Sequence, residues 1–140
     1  MKRIRWAILL LGCLILLGAS GCMEGPSLQS YNTVIADETI TIPAGYYKYY
    51  KSAPDIGDIL DISLTATQDV DFYLFDEDNF WKWRRGEDFT ADMAVYDVSS
   101  FSRTFEVGNP NFRETGCFFV IYNPHTQDNS SITIKITQSP

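Results

Sequence analysis

From Tyr31 to the C-terminus apolar side chains recur at every second position, and turn-forming residues interrupt them every eight to twelve positions. A period of two belongs to a strand with one buried face; it cannot lay an apolar stripe along a helix. Thr39-Ile40-Thr41-Ile42 alternates and stops at Pro43-Ala44-Gly45, and Tyr46-Tyr47-Lys48-Tyr49-Tyr50 is an aromatic, β-prone run that ends before Pro54. Leu60, Ile62, Leu64 and Ala66 share one face against Asp61, Ser63, Thr65 and Thr67; Val70, Phe72 and Leu74 repeat the arrangement against Asp71, Tyr73 and Phe75. Phe101, Arg103, Phe105 and Val107 form a further pattern closed by Gly108-Asn109-Pro110-Asn111, and Ile132, Ile134 and Ile136 form the last. Phe118 to Tyr122 is unbroken apolar sequence, as a strand buried on both faces requires. Only Phe80 to Gly86, after Asp76-Glu77-Asp78-Asn79, breaks the alternation, which predicts a short helical turn or an ordered loop there.

Seven or eight short strands and no amphipathic helix of useful length predict an all-β fold. Two antiparallel sheets packed face to face satisfy that pattern. The expected domain is 31–140. A chain of this size buries roughly two-thirds of its unfolded surface, enough for one core without disulfide or metal staples.

The first 21 residues follow a different plan. Met1-Lys2-Arg3-Ile4-Arg5 is a positive n-region, Trp6 to Leu17 is apolar apart from Gly12, and Gly18-Ala19-Ser20-Gly21 is a tract of small residues. That is the layout of a secretory signal peptide, and the apolar run is too short for a comfortable membrane span. Ala19-Ser20-Gly21-Cys22 resembles the prokaryotic lipobox, in which small side chains fit the peptidase and the cysteine thiol is acylated. The usual Leu three places before the cysteine is Ala19 here. The resemblance implies that Cys22 carries the lipid, palmitate among its acyl chains, and holds the protein to the outer face of a membrane. Residues 22–30 then read as a tether; its eight residues after Cys22 reach at most about 28 Å.

Charge narrows the partners. The chain has 11 Lys and Arg against 18 Asp and Glu, a net charge of -7, and three of the basic residues lie in the leader. An acidic mature chain argues against nucleic acid, which needs a basic stripe, and against polybasic adhesion to anionic lipid. Of the three cysteines only Cys117 falls in the folded part, so no internal disulfide is expected there.

Three stretches together carry a family resemblance: Ile42-Pro43-Ala44-Gly45-Tyr46-Tyr47, Asp69-Val70-Asp71-Phe72-Tyr73-Leu74-Phe75-Asp76, and Gly116-Cys117-Phe118-Phe119-Val120-Ile121-Tyr122-Asn123. Their order and spacing are similar to the jelly-roll-like β-sandwiches of the GOLD type and of the bacterial pre-peptidase C-terminal type. The resemblance covers residues 31–138. It implies a non-catalytic module that binds a protein or glycan of the cell envelope, with a structural or assembly subunit of an envelope complex as the alternative.

Candidate sites follow from the residues. An enzyme is not expected: His125 is the single histidine, and no G-x-S-x-G, H-E-x-x-H or C-x-x-C motif occurs. A Cys117–His125 pair would need an exposed, electropositive thiol, whereas Cys117 enters the most apolar strand. No cofactor is expected beyond calcium at Asp76, Asp78 and Asn79, where turn oxygens suit a hard cation and an ordinary solvated turn is the competing reading. Trp81, Tyr73, Arg84 and Arg85 combine flat rings with hydrogen-bonding groups, the equipment of a sugar platform or protein hot spot. The competing reading is that Phe80 and Trp83, three apart on a helical turn, cap the core while Trp81 packs at its edge.

Overall fold

Strand β3 (Ile59–Asp76) organises the molecule. In the computed structural model, which describes residues 32–140, it is joined by β1 (Thr33–Ile42), β2 (Tyr47–Ser52), β4 (Met93–Glu106), β5 (Cys117–Tyr122) and β6 (Ser130–Ser139), with helices α1 (Glu77–Arg84) and α2 (Asn111–Thr115). Leu60, Ile62 and Leu64 point into the core while Asp61, Ser63 and Thr65 face solvent, as the period of two demands.

Every pairing is antiparallel, in the order β1-β6-β3-β5-β2, with β4 also on β3. β4 lines β3 from Ile59 to Leu74. A strand has two edges, so the other edge is shared: Ile59–Ala66 pair with β6 and Asp71–Asp76 pair with β5. The change of partner falls where β3 bulges. Between the pairs Thr65↔Ser100 and Val70↔Val98, β3 advances five residues and β4 two. On β4 the irregularity leaves Asp97 at φ 54, with its N–H donating to the Asp71 carboxylate at 3.0 Å.

Side chains replace the missing ladder at this bend. The Gln68 N–H donates to Ser130 Oγ at 3.1 Å, and that hydroxyl donates to the Gln68 carbonyl at 2.8 Å. The Ser131 N–H donates to Thr67 Oγ1 at 2.9 Å, and His125 Nε2 lies 2.9 Å from the Asp69 carbonyl. The Gln68 N–H and the Gln68 and Asp69 carbonyls thus find partners outside the ladder. This corrects the expected strand number. The two patterns on either side of Thr67-Gln68-Asp69 belong to one strand, and among the described residues the sheet has six strands, not seven or eight.

The sheet curls until its end strands approach, and Tyr50 on β2 donates its hydroxyl to Glu38 on β1 at 2.5 Å. Two apolar clusters result. The larger lies between the facing halves of the sheet and contains Leu60, Ile62, Leu64, Phe72, Leu74, Phe119, Ile121, Ile132, Ile134 and Ile136. Val107 and Phe112, from the segment between β4 and β5, complete it. The smaller comprises Tyr73, Phe75, Phe80, Phe118 and Val120, on the opposite face of β3 and β5 under α1. That second layer is why β5 is apolar at consecutive positions. The expected signal peptide, lipid-bearing Cys22 and tether lie outside the described residues. Among the described residues no helix is long and apolar enough to cross a membrane.

Candidate functional site

Helix α1 is short, so its ends do much to define it. Asp76 is the N-cap, accepting the Asn79 N–H at 3.0 Å, and Glu77 and Asp78 place negative charge in the first turn. Lys82 reaches back to Asp78 at 3.0 Å. At the C-terminus the Glu87 N–H donates to the Lys82 carbonyl and the Gly86 N–H to the Trp83 carbonyl, a Schellman closure that needs the positive φ of 72 at Gly86.

These stops fix which way the aromatics face. Phe80 is 1 % exposed and stacks on Phe118 with centroids 4.5 Å apart. Trp83 stands nearly perpendicular to Tyr47, 5.2 Å away at 86°, and to Tyr122, 5.7 Å away at 78°. Trp81 remains 42 % exposed and packs edge-on against Phe80. The segment thus splits as helical spacing requires: 80 and 83 point inward, 81 outward.

Two clefts flank the helix. One, of about 380 Å³, is lined by Asp76, Glu77, Asp78, Trp81, Arg85, Asn111 and Thr115. Asp76, Asp78, Trp81 and Arg85, all nominated by the sequence, meet there. Their polar groups are largely engaged with each other's neighbours. Asp76 accepts N–H groups from Asn79 and Asn109, and these donors outweigh the desolvation that would raise its pKa, holding the carboxyl below the usual range. The Thr90 N–H donates to the Asn79 amide oxygen at 2.9 Å. Asp78 is paired with Lys82, and Arg85 with Glu87 at 2.9 Å. A cation bound by Asp76, Asp78 and Asn79 would have to displace these partners. Among the described residues no group of three or more His, Cys, Asp or Glu side chains is arranged to hold a metal.

The other cleft, of about 320 Å³, is lined by Tyr47, Trp83, Arg84 and Tyr122. The Arg84 guanidinium lies 5.3 Å from the Tyr47 centroid and 5.4 Å from the Trp81 centroid, within cation–π range of both. Tyr46, immediately before β2, and Tyr49, within it, are exposed.

Tyr73 does not join this surface. It is 5 % exposed beneath Trp83, and its phenol is pushed up to about 12, first by burial and then by the charge of Asp71. Placing Tyr73 on a ligand platform is therefore corrected: α1 covers the face of β3 that the alternation assigns to it. Tyr47 and Tyr122 take its place. Period two in the Tyr46–Tyr50 run sets Tyr47 and Tyr49 on one face, but nothing local says that a helix lies alongside.

Cys117 is fully buried, and burial drives its thiol far above the ordinary range. It opens β5 while His125 lies beyond the other end of that strand, so the two are not neighbours. No protein-family model matches the chain, and no curated protein matches it.

Proposed function

We propose that this chain is a membrane-anchored extracytoplasmic lipoprotein whose β domain is a non-catalytic binding module for a protein or glycan of the cell envelope. The domain is read as a jelly-roll-like sandwich of the GOLD or pre-peptidase C-terminal kind, and the anchor as a lipid on Cys22. The observation that carries the binding reading is the cleft of Tyr47, Trp83 and Tyr122 with Arg84 at its rim. Rigid rings beside an accessible guanidinium supply contact area at low entropic cost and a directional polar handle. The buried thiol, at the opposite end of β5 from His125, counts against a catalytic Cys117–His125 pair.

The anchor is tested by Cys22→Ser, which should release the protein from membranes or leave its leader uncut; unchanged fractionation and migration would refute it. The module is tested by recovering envelope components on wild-type protein and on Arg84→Gln. Loss of the captured component in the variant supports the reading. Capture that ignores Arg84 but fails when the free edge of β2 or β4 is blocked would favour an assembly subunit.

A further inference from the structure

The cleft of Tyr47, Trp83, Arg84 and Tyr122 is selective in charge as well as shape. Four of the eight Lys and Arg residues between 32 and 140 lie on α1, its C-cap or the face of β2 beside it: Lys51, Lys82, Arg84 and Arg85. Elsewhere the domain is dominated by carboxylates, which repel an anion. Within α1 and its C-cap the neighbouring cations are neutralised, Lys82 by Asp78 and Arg85 by Glu87. Arg84 is not: among the described residues no carboxylate lies within ion-pair distance of it. Its guanidinium is instead held near the rings of Tyr47 and Trp81, leaving its N–H donors to solvent at the cleft.

We propose that this cleft binds a carboxylate-bearing pyranose unit of an acidic polysaccharide, a uronic-acid residue. The apolar C–H face of the sugar packs on the aromatic wall of Tyr47, Trp83 and Tyr122, and its carboxylate takes the fork of Arg84. A guanidinium matches a carboxylate in a bidentate plane, and one already oriented by flanking rings loses little freedom on binding. An anionic bilayer fits less well. The aromatic residues line a concave cleft rather than a protruding tip, and Glu77 and Asp78 extend from the same helix. The inference rests on the binding-module reading and names the ligand class for it.

The test uses the full-length chain in neutral detergent, with intrinsic tryptophan fluorescence as the readout. The titrants are a short oligogalacturonate, its fully methyl-esterified form, free galacturonate, and phosphatidylglycerol vesicles. Oligogalacturonate should give a saturable change. Methyl esterification and Arg84→Gln should each weaken it by about tenfold, the worth of one charge-assisted pair, with Arg84→Gln melting as wild type does. Free galacturonate should bind the same cleft more weakly than the oligomer, marking the polymer as the source. Equal binding of the methyl ester, or no loss in Arg84→Gln, overturns the acidic-sugar assignment. Saturation by vesicles alone, abolished by Arg84→Gln, overturns it in favour of lipid. If no sugar binds while Arg84-dependent capture of an envelope protein persists, the sugar is wrong and the binding module stands; if that capture is absent too, both fail.

Discussion

The Asn123 carboxamide donates to the Ile42 carbonyl at 2.9 Å, joining residues 81 apart in sequence at the point where β1 leaves one half of the sheet. Its second N–H donates to the Asp128 carbonyl, also at 2.9 Å, and its Oδ1 accepts the His125 N–H at 3.1 Å. The backbone is engaged as well: the Asn123 N–H donates to Tyr46 O, and the Gly45 N–H to Asn123 O. One fully buried side chain thus holds the β1–β2 turn against the β5–β6 loop.

Asn123→Ala takes this partner from the Ile42 and Asp128 carbonyls and from the His125 N–H, so it should destabilise by about 2–4 kcal/mol. Urea unfolding of the variant measures this. A loss under about 1 kcal/mol would mean that water replaces the amide.

The aromatic residues of α1 should separate by position. Phe80→Ala removes a ring with 1 % exposure and should cost about 3–5 kcal/mol. Half-buried Trp83, packed on Tyr47, Tyr73, Phe75 and Tyr122, should cost about 2–3 kcal/mol on truncation. Trp81→Ala should change stability by no more than about 0.5–1 kcal/mol. Three equal losses in chemical denaturation would contradict the observed facing of the helix.

Gly116 precedes β5 at φ 103 and ψ 156, a region that side-chain-bearing residues rarely enter. An added Cβ would also meet Lys51 Cε, the far end of a flexible side chain that can turn aside, so the backbone conformation sets the cost. Gly116→Ala should therefore cost about 1–3 kcal/mol. Gly108→Ala, where a Cβ meets nothing within 4 Å, is the control and should be nearly neutral. Equal melting temperatures for the two variants would refute the strain argument.

Acid should act in two stages. Asp71 and Asp92 have raised pKa values, in both chiefly through burial, so the folded state binds their protons more tightly than the unfolded one. Their ionised forms oppose folding at neutral pH, and stability rises as pH falls through those folded-state values. Asp76 has the opposite sign. Its N–H donors lower its pKa, so its contribution is present above the ordinary Asp value of 3.8 and disappears as pH falls through its lower folded value. Melting temperature against pH should therefore rise as pH falls from neutral towards the ordinary Asp value of 3.8 and decline once pH passes below it. Asp92→Asn should flatten the rise, and Asp76→Asn the decline. A profile that falls steadily from pH 7 in the wild type would contradict the assignment.

The Leu60–Ala66 and Ile132–Ile136 alternations are legible because each strand has one wet and one dry face, a local property of sequence. The Phe118–Tyr122 run is legible too, since only burial on both faces tolerates five consecutive apolar residues. Helical spacing alone sets Phe80 and Trp83 on one face, apart from Trp81. What covers the second face of β5 is not local: α1 lies there because of how the chain returns after Asp76, and that same return buries Tyr73 and brings Tyr47 and Tyr122 beside Arg84. Thr67-Gln68-Asp69 reads as a strand break because it is polar and local rules see no partner for it. Its partners, Ser130, Ser131 and His125, stand more than fifty residues away and arrive only when the sheet curls. Strand periodicity is thus written in neighbouring residues, whereas the bend and the cleft depend on long-range pairing that fixes which distant groups satisfy an exposed backbone.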